Sequence, residues 1–216
     1  MIRLRALPLL LVPLITGCQG LLTHSPPPPP TERLQGMLTE QAGQLYFTPC
    51  TGSRALQLRA SEQLGLQEDV DALSEGRPLF ADLRGELSTG PERFLATQVY
   101  RLQAEGFGCA DPGFRQLMVR ASGHEPDWTV TLNAQGLLLE RPDQPRLALP
   151  YLEEQLPGGQ ASFTSEADGQ RLELWIAPQR CVDSASGTIS HLSAQLRLND
   201  AKPLRGCAYF GAARNH

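Results

Sequence analysis

From residue 34 onward, apolar and polar residues mostly alternate one for one, the period of half-buried strands. Leu45 and Phe47 alternate with Gln44 and Tyr46, and Leu56 and Leu58 with Gln57 and Arg59. Residues 78–87 and 94–102 continue the pattern. One stretch departs from it. Leu66, Val70 and Leu73 lie at i, i+4 and i+7 with Gly76 just beyond, which predicts a single helix ended by glycine. Several short strands around one helix predict a small barrel with an OB-like topology.

The second half alternates more cleanly. Trp128, Val130 and Leu132 face one way, and Thr129, Thr131 and Asn133 the other. Residues 133–136 turn the chain into Leu137, Leu138 and Leu139, and Asp168-Gly169 is a hairpin signal between residues 161–165 and 172–176. Leu192, Ala194, Leu196 and Leu198 alternate with polar neighbours, and Asn199-Asp200 turns into residues 204–209. This pattern predicts an antiparallel meander forming a β-sandwich or barrel. Ala110-Asp111-Pro112-Gly113 is turn chemistry and marks the boundary between the halves. The fold class expected is mainly β, in two small antiparallel units: an OB-like barrel with one helix over residues 34–110, then a β domain over 111–216.

The first residues carry an address. Arg3 and Arg5 precede an apolar run over residues 6–15, and Ile15-Thr16-Gly17-Cys18 closes it. This is the form of a secretory signal peptide over residues 1–17; the apolar run falls well short of the ~20 residues needed to cross a bilayer. Residues 18–33 read as a linker, with five consecutive prolines at 26–30 that favour an extended polyproline II rod.

Cysteine count fits that address. Setting Cys18 aside leaves Cys50, Cys109, Cys181 and Cys207, and an oxidising compartment permits disulfides. Of the three possible pairings, Cys50–Cys109 and Cys181–Cys207 are preferred because each lies within one half. No C-x-x-C or H-x-x-x-H spacing points to a metal, and no cofactor is expected.

The chain has 19 basic and 23 acidic residues; loss of Arg3 and Arg5 leaves 17 against 23, near −6. That balance argues against nucleic acid as a partner. Lys202 is the one lysine.

Two polar clusters are the candidate binding elements: His124, Glu125 and Trp128 in residues 123–128, and Asp183, Ser184 and Ser186 in residues 181–187. Glu125, before a proline at a strand entrance, is expected to make a structural hydrogen bond or to pair with a buried arginine such as Arg180. Trp128 is expected to plug a barrel end, and Asp183 and Ser184 to satisfy local backbone amides. A hydrolase using His124, Asp183 and Ser184 is conceivable, but no G-x-S-x-G elbow is present, so no residue is assigned as catalytic. The run Asp82-Leu83-Arg84-Gly85-Glu86 is read as a solvated strand face, and His191 as lying on the polar phase of its strand.

These motifs carry a resemblance. A cysteine directly after small residues at the cut resembles the lipobox of bacterial lipoproteins, which implies acylation of Cys18. Gln19 in place of aspartate implies passage to the outer membrane. G-x-E-P-x-W at residues 123–128, C-x-D-S-x-S-G at 181–187 and Gly206-Cys207-Ala208 together resemble a family of uncharacterised bacterial envelope lipoproteins common in pseudomonads. The likeness covers most of the second half, and residues 46–50 and 99–102 are similar to the first half of longer members. Asp127 stands where that family often has an aromatic residue, and Ala185 where it often has methionine. The architecture is also similar to envelope-stress sensor lipoproteins and to lysozyme-inhibiting lipoproteins. The expectation is a non-enzymatic binding or interaction module, anchored by lipid on the periplasmic face of the outer membrane. Its expected partner is an envelope protein or, with residues 183–187 as an inhibitory loop, a lysozyme.

Overall fold

The computed structural model describes residues 30–88, 92–167 and 169–214. Cys18, the signal peptide and most of the proline run lie outside them, as does Asp168.

The first unit is a closed five-stranded barrel. Strands β1 (Thr31–Gln41), β2 (Gln44–Pro49) and β3 (Leu56–Ala60) form a meander, and helix α1 (Leu66–Ser74) crosses to β4 (Leu79–Leu87) and β5 (Arg93–Gln103). β4 pairs with both β1 and β5, and β3 closes the ring by pairing parallel to β5. The ring order 1-2-3-5-4, with the helix between β3 and β4, is the OB-like topology anticipated. The helix buries Leu66 and Val70, and Glu75 and Gly76 end it with positive φ.

β1 begins three residues before the expected start of the folded part, and the sequence pattern had not marked it as a strand. Its inward positions include Gly36, where a Cβ would lie 2.3 Å from the carbonyl oxygen of Thr48 and 2.7 Å from the Phe47 ring. The strand therefore carries no apolar side chain where alternation calls for one. Residues 31–33 belong to β1 rather than to the linker.

The second unit contains the other nine strands: β6 (Leu117–His124), β7 (Asp127–Asn133), β8 (Gly136–Glu140), β9 (Leu147–Leu149), β10 (Leu152–Leu156), β11 (Gln160–Ala167), β12 (Gln170–Val182), β13 (Ile189–Leu198) and β14 (Leu204–Phe210). They pair antiparallel in the order β10-β11-β12-β13-β14-β6-β7-β8-β9. β9 and β10, adjacent in the chain, stand at the two ends of this sheet, which wraps around one core. Val119, Trp128, Val130, Phe163, Leu174 and Leu196 are central to that core. The β11–β12 hairpin pairs Ala167 with Gln170, and Gly169 has positive φ. The disulfides are Cys50–Cys109 and Cys181–Cys207, one in each unit.

The two units share one sheet, because the first residues of β13 pair with β5 as well as with β12. This seam overturns the reading of residues 82–86 as a solvated face. Asp82 is fully buried, since one face of β4 lines the barrel and the other packs on the second unit. Arg33 meets it with two hydrogen bonds of 2.7 and 2.8 Å, donates to the carbonyl oxygens of Phe210 (2.6 Å) and Gly211 (3.2 Å), and stacks 4.0 Å from the Tyr100 ring. An ion pair so far from water survives only when its hydrogen bonds are complete. Gln35 supplies a third donor to Asp82. His191, read as lying on a polar strand face, packs edge-on between Tyr100 and Phe210 at this seam, with Nδ1 3.0 Å from the Tyr100 carbonyl oxygen. Among the described residues no helix is long and apolar enough to cross a membrane.

Candidate functional site

The two polar clusters, separated by more than fifty residues of chain, meet at one corner of the second unit. Residues 123–128 lead into β7 as expected, but that strand is the second of its unit rather than the first, because β6 precedes it. They form the β6–β7 hairpin: His124 pairs with Asp127, and the Glu125–Pro126 peptide between them is cis, the arrangement of a type VI turn. Residues 183–188 form the β12–β13 connection. Its ends are closed by hydrogen bonds from the Asp183 N–H to the Thr188 carbonyl (2.8 Å) and from the Gly187 N–H to the Asp183 carbonyl (2.9 Å).

Asp183 organises the corner. Its Oδ1 accepts hydrogen bonds from the Ala185 N–H (3.1 Å), the Ser186 N–H (2.8 Å) and the Ser186 hydroxyl (2.8 Å), while Oδ2 faces His124 Nε2 at 2.9 Å. The other ring nitrogen of His124, Nδ1, faces Asp127 at 2.9 Å. Desolvation opposes charging His124, but the hydrogen bond to Asp127 and the charge of Asp183 outweigh it, and its pKa is raised. Desolvation likewise opposes charge on Asp183, and the Ser186 hydrogen bonds together with His124 overcome it, so its pKa is lowered. Each group thus favours the charged form of the other.

The third motif lies beneath. Trp128 is 2% exposed, in the core rather than at a mouth, and its indole covers the backbone of Gly123 and Gly206. A Cβ on Gly206 would come within 2.8 Å of that indole and 2.0 Å of the Ser122 carbonyl oxygen. Cys207, beside Gly206, bonds to Cys181 at the start of the other motif. One salt bridge, one disulfide and one buried indole thus join the three segments.

Above them opens a groove of about 1040 Å³ on the outward face of β12, β13 and β14. His124, Glu125, Asp183 and Ser184 line it; Ser186 and Trp128 do not. Glu125 is exposed and does not pair with Arg180. Arg180 is itself exposed and pairs with Asp69 of α1 at 2.5 Å. The register of β12 against β13 shifts between Pro178 and Cys181, a bulge that places Gln179 and Arg180 at the groove. Sequence reasoning missed Trp175, Gln195 and Arg205, which also line it. The overlooked signal was a tryptophan in the outward phase of β12, between the buried Leu174 and Ile176.

The arrangement does not form a Ser–His–Asp relay. In such a relay the imidazole stands between carboxylate and hydroxyl; here the carboxylate stands between imidazole and hydroxyl, and both His124 nitrogens face acids. His124 and His191 lie in different places, one at the groove and one at the seam. No group of three or more His, Cys, Asp or Glu residues suited to a metal occurs among the described residues. The chain matches no protein-family model, and comparison with curated proteins and with solved structures gives no match either.

Proposed function

We propose that the protein is a lipoprotein held by acylated Cys18 on the periplasmic face of the outer membrane, and that its folded part is a non-enzymatic binding module for an envelope component. The observation that carries this reading is that parts of all three motifs, residues 123–125, 181–184 and 206–207, line one groove. Its walls are fixed before any partner arrives, by the His124–Asp183 pair and the Cys181–Cys207 disulfide, and such preorganisation lowers the entropic cost of binding. Two disulfides in a domain of this size fit an oxidising compartment. The lipobox-like leader and the motif set, by their resemblance, point to the same envelope.

Binding rather than hydrolysis is the better reading because His124 has no nitrogen left to accept a proton from Ser184 or Ser186. An inhibitory loop for a lysozyme has less support: the Ser186 hydroxyl is held by Asp183, and Gly187 packs against Leu73 of the barrel helix, so two of the residues that would enter a cleft are already engaged within the protein.

The test uses the full chain in intact bacteria. Cys18→Ser is expected to abolish palmitate labelling and release the protein from membranes. A photo-crosslinking residue at position 195, in the groove, is expected to give a discrete adduct, and one at exposed position 59 on β3 none. Unchanged palmitate labelling overturns the anchor. Equal adducts at both positions, or none at 195, overturn the groove.

A further inference from the structure

The groove contains a row of side chains whose chemistry is more specific than a binding surface in general. Trp175 pairs with Gln195, and Gln195 pairs with Arg205. The three side chains therefore leave the same face of three adjacent strands, spanning about 10 Å. Trp175 is half-buried, and Gln195 and Arg205 are exposed. An indole on the outward face of a sheet, with an amide and a guanidinium beside it, is not accounted for by packing of the core. Gln179 adds a second side-chain amide, and its Oε1 accepts from the Ser193 hydroxyl at 3.4 Å.

The charges of the groove separate into paired and unpaired ones. His124 pairs with Asp183 and Arg180 with Asp69. Among the described residues, Arg205 and Lys202 make no ion pair, and both stand at the β14 end of the row. Glu125, the remaining acid, lies on the hairpin that follows β6, the strand paired to β14, and it makes no ion pair with either cation.

We propose that this row binds a carboxylated glycan, with a pyranose ring lying on the Trp175 indole and its carboxylate held by Arg205 and Lys202. The proposal rests on reading the groove as the binding site and adds the class of ligand. The apolar C–H face of a sugar suits the negative face of an aromatic ring. The amides of Gln195 and Gln179 each present a donor and an acceptor, which matches neighbouring hydroxyls. A guanidinium grips a carboxylate through two parallel N–H groups, and the lysine adds a second positive charge. An extended peptide fits less well. Peptides that add to sheets need an unpaired edge, and β13 in the middle of the row is paired on both sides. The same carboxylated chemistry occurs in a lactyl ether on an amino sugar and in a hexuronate.

The test is calorimetric titration of the full chain with three probes: peptide-free glycan strands of N-acetylglucosamine and N-acetylmuramic acid, oligogalacturonate, and neutral chitotetraose. At least one carboxylated probe is expected to bind about ten-fold or more tighter than chitotetraose, and which one binds identifies the source. Trp175→Leu is expected to weaken that binding about ten-fold or more. Arg205→Gln, at an exposed position, is expected to remove the preference over chitotetraose. Chitotetraose binding as tightly as both acidic probes, no binding of either acidic probe, or unchanged binding by Trp175→Leu overturns the proposal. If glycans fail while position 195 still crosslinks, the glycan is refuted and the groove stands; if both fail, both fall.

Discussion

Replacing Asp183 tests how the two polar clusters are joined. In the folded chain its carboxylate is 9% exposed, accepts three hydrogen bonds on Oδ1 and faces His124 on Oδ2. Asp183→Ala removes all of these. Each hydrogen bond to a charged acceptor contributes about 1 kcal/mol or somewhat more, and the loop amides can rehydrate because residues 184–186 are exposed, so the expected loss is about 3 kcal/mol. Asp183→Asn can keep the three bonds on Oδ1 and lose only the ion pair, a loss of about 0.5–1 kcal/mol given that His124 is 37% exposed.

The sign with pH separates these effects. The folded pKa of His124 is raised, so its contribution is fully present below the unfolded value of 6.5 and is lost as pH rises through the folded value. The advantage of wild type over Asp183→Asn must therefore shrink from about pH 6 toward about pH 9. Urea unfolding across that range measures the free energies, and NMR titration of the His124 ring measures its pKa in each variant. Asp183→Ala within about 0.5 kcal/mol of wild type, or a pH-independent gap between wild type and Asp183→Asn, refutes the reasoning.

Three further outcomes follow from the seam and the motif corner. Burial lowers the His191 pKa to about 4, against the hydrogen bond to the Tyr100 carbonyl; the unfolded chain takes up the proton first, so stability should fall by about 3 kcal/mol as pH drops from 6.5 to 4. Acid unfolding of His191→Phe, which keeps a ring between Tyr100 and Phe210, should lack that component. Breaking the Arg33–Asp82 pair singly, by Arg33→Met or Asp82→Leu, should cost about 3 kcal/mol, while the two substitutions together should cost less than the sum, read as a double-mutant cycle in urea. Gly206→Ala, whose Cβ would strike the Ser122 carbonyl and Trp128, should cost about 2 kcal/mol or more, measured as a lowered Tm.

Local periodicity was enough to reveal α1, the strands from β2 to β5 and most of the second sheet, because each of those segments shows its buried face directly in its own residues. β1 was hidden because its inward positions include Gly36, where a neighbouring backbone and ring occupy the place of a side chain. β6 was legible in principle, since Leu117, Val119 and Ala121 alternate with Met118, Arg120 and Ser122. The parallel closure of β3 on β5, and β13 serving both units, are long-range pairings that no local pattern encodes. Asp82 was misread for a related reason. Alternation tells which residues share a face but not whether a second unit covers that face. The candidate site was legible as two clusters, and the Cys181–Cys207 choice put one of them beside Gly206. The His124–Asp183 contact was not legible, since it depends on where two hairpins end. Trp175 was legible in principle, as a large aromatic out of phase with its core-facing neighbours.

Hydrogen–deuterium exchange tests the central claim, that this groove is occupied in the envelope, most directly. The full chain would be compared in native outer-membrane vesicles and after purification. Slower exchange in the vesicles at residues 124–127, 184–188 and 200–202, the loops around the groove, with no change along the barrel loop at residues 61–65, is the predicted result. Identical exchange in both settings at the groove loops would contradict it.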